Sequence, residues 1–238
     1  MKNHFFTYYK KLPFSIRTRL HHIFDLVNSN KTLLDLFSAT RQNKTIKKIS
    51  KAKSPRRLVV GESYPMNGWI VTNYQLLAKN FIDVKKKFAE SSSLSNIYAD
   101  NVIEHLDLDS AQLFLQNAYD ALTTDGWIRL ATPDCLAISK AYIENDLQKV
   151  SEFGADLKQH NLKIDEPIDL LHVTFCAFGH AKGRIYDEQT LTELLRWAGF
   201  RHIQRFSPSE SSNQIFRNLE KRTGVSDYWS QMCLEAKK

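Results

Sequence analysis

Cysteine is scarce in this sequence: Cys135, Cys176 and Cys233 are the three among 238 residues, and no two stand at a metal-ligand spacing. An odd, scattered set excludes a disulfide scaffold and a zinc finger and points to a reducing compartment. Long apolar runs are missing as well, since none approaches the ~18–20 residues that a membrane-spanning helix needs. The opening residues lack the apolar stretch and small-residue cleavage site of a secretory signal. Hydrophobic residues make up 42% and charged residues 25%, a globular balance that excludes a disordered or fibrous chain. The expectation is a cytoplasmic protein, either free or resting peripherally on the inner face of a membrane.

Acidic residues are almost absent from the first 57 positions. Asp25 and Asp35 stand there against fourteen Lys and Arg, a net of +12. The other positions carry nineteen basic and twenty-four acidic residues, a net of −5, so the overall +7 describes neither part. Residues 1–57 read as a basic helical arm and linker, and residues 58–238 as a mildly acidic main domain. In the arm, Pro13 and Ser15 mark a helix start, and Ile16, Leu20, Ile23 and Val27 follow on one face. A short second helix is expected around 32–37, and the Lys- and Arg-rich stretch 41–57 reads as a solvated linker. Three uses fit such an arm: a helix packed on the main domain, an amphipathic helix on an anionic membrane, or nucleic-acid binding. The last is the least favoured, because no aromatic-rich strand motif or finger accompanies the charge.

In the main domain, Leu58-Val59-Val60 is a short apolar run closed by Gly61, the pattern of a buried parallel strand. Trp69-Ile70-Val71, Phe81–Val84 and Ile97-Tyr98-Ala99 predict three more strands, and Trp127–Ala131 a fifth, stopped by Pro133. Asp109, with Gln112 three residues on, predicts a helix start, and Ala111, Phe114, Leu115, Ala118 and Leu122 form the stripe that follows. Residues 135–162 read as mostly helical, with Ile143, Leu147 and Val150 on one side. Asp187 caps a last helix whose Leu191, Leu194, Leu195 and Ala198 share a face before Gly199 ends it. Phe200 to Phe206 is the sixth expected strand. Such alternation predicts an α/β fold, a doubly wound and mostly parallel sheet covered on both faces. Ligands in these sheets sit at the carboxyl ends of the strands, where the strand order reverses. That directs attention to 61–68, Asn73, Asp83, 100–105 and 132–134.

The stretch Ile97-Tyr98-Ala99-Asp100-Asn101-Val102-Ile103-Glu104-His105-Leu106 resembles the fourth-strand motif of class I S-adenosylmethionine-dependent methyltransferases. A helix, Asp125-Gly126-Trp127, a strand and Thr132-Pro133-Asp134 follow at the distances of that family. Gly179-His180, Tyr186-Asp187 and Leu191 through Phe200 resemble the C-terminal part of a bacterial subgroup often tied to sugar and polysaccharide pathways. The resemblance spans roughly 58–220. It implies S-adenosyl-L-methionine as cofactor, with Gly61, Glu62, Ser63, Asn73, Asp83, Asp100 and Asn101 as binding positions. It implies O-methylation of a sugar or glycan intermediate in bacterial surface polysaccharide synthesis. The first loop departs from the family pattern: it holds one glycine, with Ser63 where another is usual. Asn73 matches the acid that normally takes the ribose hydroxyls, and an amide there loses charge-assisted strength.

Methyl transfer to a hydroxyl needs an in-line approach and a base for the hydroxyl proton. Glu104, His105, Asp134 and His180 are the candidates at the strand ends. His180 lies between Gly179 and Gly183 and reads as a base or substrate contact, or as a hydrogen bond holding its loop. Glu104 is balanced between the same two uses, and His105 reads rather as a tie at the strand end. His172, on an apolar background, reads as a satisfied core residue. The eight histidines show no ligand spacing, so no metal is expected. Residues 135–180 would overhang the strand ends as an acceptor pocket or lid, with Tyr142, Phe153, Phe175 and Phe178 as its walls or as its own core. Two other functions stay open: a methyltransferase fold kept for binding or scaffolding, and, more weakly, an RNA methyltransferase.

Overall fold

A computed structural model describes residues 31–62, 64–220 and 224–238. The amphipathic helix expected over Ser15–Val27 lies outside the described residues, as does Ser63. Six strands form one sheet: β1 (Arg57–Val60), β2 (Ile70–Thr72), β3 (Leu94–Asp100), β4 (Leu122–Pro133), β5 (Arg201–Phe206) and β6 (Gln231–Lys237). Their order is β2-β1-β3-β4-β6-β5. The pairs β1–β2, β1–β3 and β3–β4 are parallel, whereas β6 runs antiparallel between β4 and β5. Alternation along each strand feeds two faces. Leu58, Val60, Ile97, Ala99, Ile128 and Leu130 enter the main core, while Val59 and Tyr98 pack with Phe216 and Leu219 on the other side.

Helix α1 (Lys31–Ser50) precedes the sheet, and α2 (Leu108–Ala121) connects β3 to β4. The expected linker 41–57 is therefore helical as far as Ser50. Gln42, Thr45 and Ile49 fall on one face of α1 and are buried there, while Lys44, Lys47 and Lys48 stay exposed. Arg41 adds a bond from Nη2 to the Ala78 carbonyl at 2.5 Å. The charge count of this stretch concealed a buried stripe only three residues strong.

The expected third strand is reduced to one parallel bridge, Asn73 with Phe81. Beyond it, Gln42 occupies the backbone groups that a strand would offer. Its Oε1 accepts from Asp83 N at 2.7 Å, and its Nε2 donates to the carbonyls of Asp83 (3.2 Å) and Lys87 (2.8 Å). Helix α2 starts two residues earlier than Asp109 predicts. Asp107 is the last extended residue, and its carboxylate accepts from Ser110 N at 2.8 Å, which satisfies an orphan donor of the first turn.

Helices α3 (Cys135–Ile143), α4 (Leu147–Leu157) and α5 (Pro167–Cys176) follow β4 and build a separate small core from Ile138, Ala141, Val150, Phe153, Ile164, Leu170 and Val173. Ile143 and Leu147 do not share the buried side with Val150; they are 76% and 60% exposed. The turn through Asn145 (φ 51°) separates α3 from α4, so the helical register read across it does not carry over. Helix α6 (Glu188–Trp197) begins at Asp187, whose side chain accepts from Thr190 N at 2.8 Å, and buries Leu191, Leu194 and Leu195. Gly199 follows at φ +102°, as the helix end requires. A four-residue helix, α7 (Asp227–Ser230), leads into β6.

Candidate active site

The strand order reverses between β1 and β3, so the crevice at their carboxyl ends is the place where this architecture receives ligands. Gly61 leaves β1 at φ +92°, and a Cβ there would lie 2.5 Å from Val102 Cγ2. Glycine is needed at this point so that the loops after β1 and β3 can meet. Asn73, 5% exposed, closes the same junction from β2. Its Nδ2 donates to the carbonyls of Gly61 (3.1 Å) and Glu62 (3.2 Å), and its Oδ1 accepts from Gln75 N (2.8 Å).

This geometry reverses the effect expected of an acid at position 73. A carboxylate has no hydrogen to give, so Asn73→Asp would leave two loop carbonyls facing a negative charge. The expected outcome is a loss of about 2–3 kcal/mol of stability, read from the urea midpoint, with no gain in cofactor affinity by calorimetry. A variant as stable as the parent that binds more tightly would show that residue 73 serves the ligand instead of the loop.

Asp83 sits apart from this junction. Its backbone is held by Gln42 of α1, its Oδ1 accepts from Lys85 N at 3.1 Å, and Oδ2 lies 3.7 Å from Lys86 Nζ. At the β3 end, Asp100 is half-buried and its Oδ2 accepts from the Tyr98 hydroxyl at 2.8 Å. Asn101 follows, exposed and at φ +49°, with its N–H donating to the Ala131 carbonyl.

The turn Ile103–His105 then brings Glu104 and His105 to the strand ends, and the turn Ala177–Lys182 brings His180 against them. The rings of His105 and His180 stand 4.8 Å apart. Glu104 is fully buried, and its Oε2 accepts from Thr132 Oγ1 at 3.2 Å. His180 is buried, with Nδ1 2.7 Å from the Thr174 carbonyl oxygen. A carbonyl only accepts, so Nδ1 carries the proton and Nε2 keeps its lone pair. Partial burial of an otherwise exposed side chain, and next the nearby His180, hold the His105 imidazole below its ordinary pKa. Burial pushes the neighbouring Tyr186 hydroxyl up to about 12, with the charges of Glu104 and Asp107 adding and Arg184 opposing.

Asn101, His105, Phe178 and His180 border a cavity of ≈ 570 Å³, closed on its far side by Ile138, Phe153 and Val173 of the inserted helices. Phe153 thus serves both the small core and the cavity wall, while Tyr142 and Phe175 are exposed and do not reach it. His172 is exposed, not part of a core. A second cavity of ≈ 500 Å³ opens on the β2 side, bordered by Glu62, Tyr64, Trp69, Asn73 and Asn80.

Asp134, a sequence candidate for catalysis, is 1% exposed and committed elsewhere. Its Oδ1 caps α3 by accepting from Ala137 N at 3.1 Å, and its Oδ2 pairs with Arg205 Nη2 at 2.6 Å. An aspartate immediately before a helical run is itself a cap signal, and it marks this role in the sequence. Cys135 beside it has its thiol pushed up by burial, which disfavours the nucleophilic thiolate.

No family model matches the chain, and no curated protein matches it. Solved structures do. A S-adenosylmethionine-dependent methyltransferase from Thermotoga maritima is 12% identical, with a TM-score of 0.44 over 91% of this chain and 99% of that one. Another from Archaeoglobus fulgidus is 14% identical, with a TM-score of 0.43 over 86% and 94%. The phosphoethanolamine N-methyltransferase 2 of Haemonchus contortus, solved with S-adenosyl-L-methionine, is 11% identical at a TM-score of 0.44. The match covers 84% of this chain and 52% of that one, so the chain spans about half of its length. Strand order, the reversed β6 and the crevice between β1 and β3 define an α/β protein with a doubly wound, mostly parallel sheet.

Proposed function

We propose that the protein binds S-adenosylmethionine in the crevice between β1 and β3 and methylates a hydroxyl of a sugar or glycan intermediate of bacterial surface polysaccharide. One observation carries this reading: Glu104, His105 and His180 converge beside the switch point, with the two histidines on the wall of a cavity large enough for an acceptor. The β3 side of the crevice fits the cofactor. Asp100 keeps an oriented carboxylate there, and Asn101 is exposed beside it. Gly61, Glu62, Asp100 and Asn101 are the residues that hold the cofactor in this reading. When bound, it supplies an electrophilic methyl group on a sulfonium. His180 offers Nε2 as the atom that takes the acceptor proton, because Nδ1 is fixed on the Thr174 carbonyl. The inserted helices wall the acceptor side against water.

A second reading, a methyltransferase fold that binds or scaffolds without transferring a methyl group, is favoured by Asn73. Its amide is turned onto the first loop where the resemblance implies an acid for the ribose. Methyl transfer from labelled cofactor separates the two. Activity on nucleoside-diphosphate sugars or lipid-linked glycans is expected to exceed activity on tRNA. The reverse order would overturn the acceptor class, and no transfer to any of them would favour the second reading. Among the described residues no helix is long and apolar enough to cross a membrane. Contact of residues 1–57 with an anionic inner membrane surface, where lipid-linked glycans are built, is the part of the proposal that the basic arm supports.

A further inference from the structure

Histidine spacing in the sequence offers no ligand set, yet folding brings His180 from a distant segment against the adjacent pair Glu104 and His105. One ligand atom from each of Glu104, His105 and His180 lies within 4.8 Å of the other two. We propose that these three side chains form a binding site for a divalent transition-metal ion of the zinc type, with its remaining coordination positions open to the cavity.

Two imidazoles and one carboxylate make up a ligand complement that leaves a position for water or substrate, as catalytic zinc requires. The outer shell is already arranged for ligation. His180 Nδ1 donates to the Thr174 carbonyl at 2.7 Å, which fixes the tautomer and leaves the Nε2 lone pair for the metal. Thr132 Oγ1 donates to Glu104 Oε2 at 3.2 Å and orients the carboxylate. His105 and His180 both line the cavity, so an ion between them is reached from it.

The chain goes to some length to bring His180 here. Phe178 and Gly179 both turn in the left-handed region, at φ 55° and 93°, a conformation costly for a bulky residue. Gly183 then passes so close that a Cβ on it would lie 1.9 Å from the Glu104 carbonyl oxygen, which accepts from Arg184 N at 3.1 Å. Ligand atoms around a tetrahedral zinc stand about 3.4 Å apart, given metal–ligand bonds near 2.1 Å. The cluster must therefore tighten, and rotation of the exposed His105 ring is the least costly way to do so.

Metal binding itself does not depend on methyl transfer. Its consequence does rest on the proposed function: an acceptor hydroxyl at an open metal position gives up its proton more readily, so that water at the cavity mouth can take it in place of His180.

The test is a titration of the full metal-stripped chain with Co²⁺, followed by its visible absorption, then displacement by Zn²⁺. Saturation at one ion per chain is expected, with His105→Ala weakening binding at least about tenfold. His105 is exposed, so this variant keeps the fold; Glu104→Gln and His180→Ala are checked first by thermal unfolding and should weaken binding as well. Failure of the wild type to bind Co²⁺, or binding unchanged in His105→Ala, would overturn the site. Calorimetry with S-adenosylhomocysteine on the same samples keeps the two readings apart. Metal binding without cofactor binding sustains the site and removes the methyl-transfer reading alone.

Discussion

Replacing Arg129 with alanine should cost about 3–5 kcal/mol of folding stability, because it leaves two carboxylates buried without their cation. Arg129, Glu220 and Glu235 all have fully buried side chains. The guanidinium reaches Glu220 through Nε (2.7 Å) and Nη2 (3.0 Å), and Glu235 and the Glu210 carbonyl through Nη1 (2.5 and 2.9 Å). Burial works against the guanidinium charge, yet the Glu220 hydrogen bond and the two carboxylate charges outweigh it and hold its pKa above the ordinary value. Burial in turn pushes the Glu235 carboxyl up. Arg129→Lys should recover only part of the loss, since an ammonium cannot form the two parallel bonds to Glu220. The urea midpoint reads both variants. A loss under about 1 kcal/mol for alanine would show that water reaches the triad and screens it.

In the metal-free protein, His180→Ala should lower turnover by about 10²- to 10⁴-fold, the range for loss of a positioned base. Cofactor affinity should stay nearly unchanged, because a base acts chiefly in the transition state. The split between the two readouts is decisive. The ring also ties its turn to α5 through the Thr174 carbonyl, so a purely structural His180 would lower affinity, turnover and melting temperature together. Wild-type turnover in the variant would remove His180 from the reaction altogether.

Sequence patterns are legible in this chain where one short-range preference dominates. The apolar runs at Leu58–Val60 and Trp127–Ala131 became β1 and the buried part of β4, and the Asp187 cap with its stripe became α6. β6 was hidden, although it lies inside the sheet. Glu235 interrupts its apolar pattern, and only the distant Arg129 on β4 explains why a carboxylate is tolerated there. The expected third strand failed for a similar reason. Phe81–Val84 has strand composition, but Gln42 of a helix remote in sequence takes its backbone partners.

Glu104, His105 and His180 stand out singly in the sequence, at strand ends and between glycines. Their grouping rests on the left-handed turn at Phe178-Gly179 and the close pass of Gly183, neither of which has a periodic signature. Asn73 shows the limit of a residue-type argument. Its amide suits a ribose hydroxyl and two loop carbonyls equally well, and only the closed loop decides between them.

Isothermal titration of the full chain with S-adenosylhomocysteine tests the central claim most directly. The account predicts a saturable heat at one ligand per chain, weakened in Asp100→Asn, whose carboxylate is assigned to the β3 side of the crevice. Absence of heat, together with no thermal shift at millimolar cofactor, would contradict the claim and leave an α/β fold that serves another ligand.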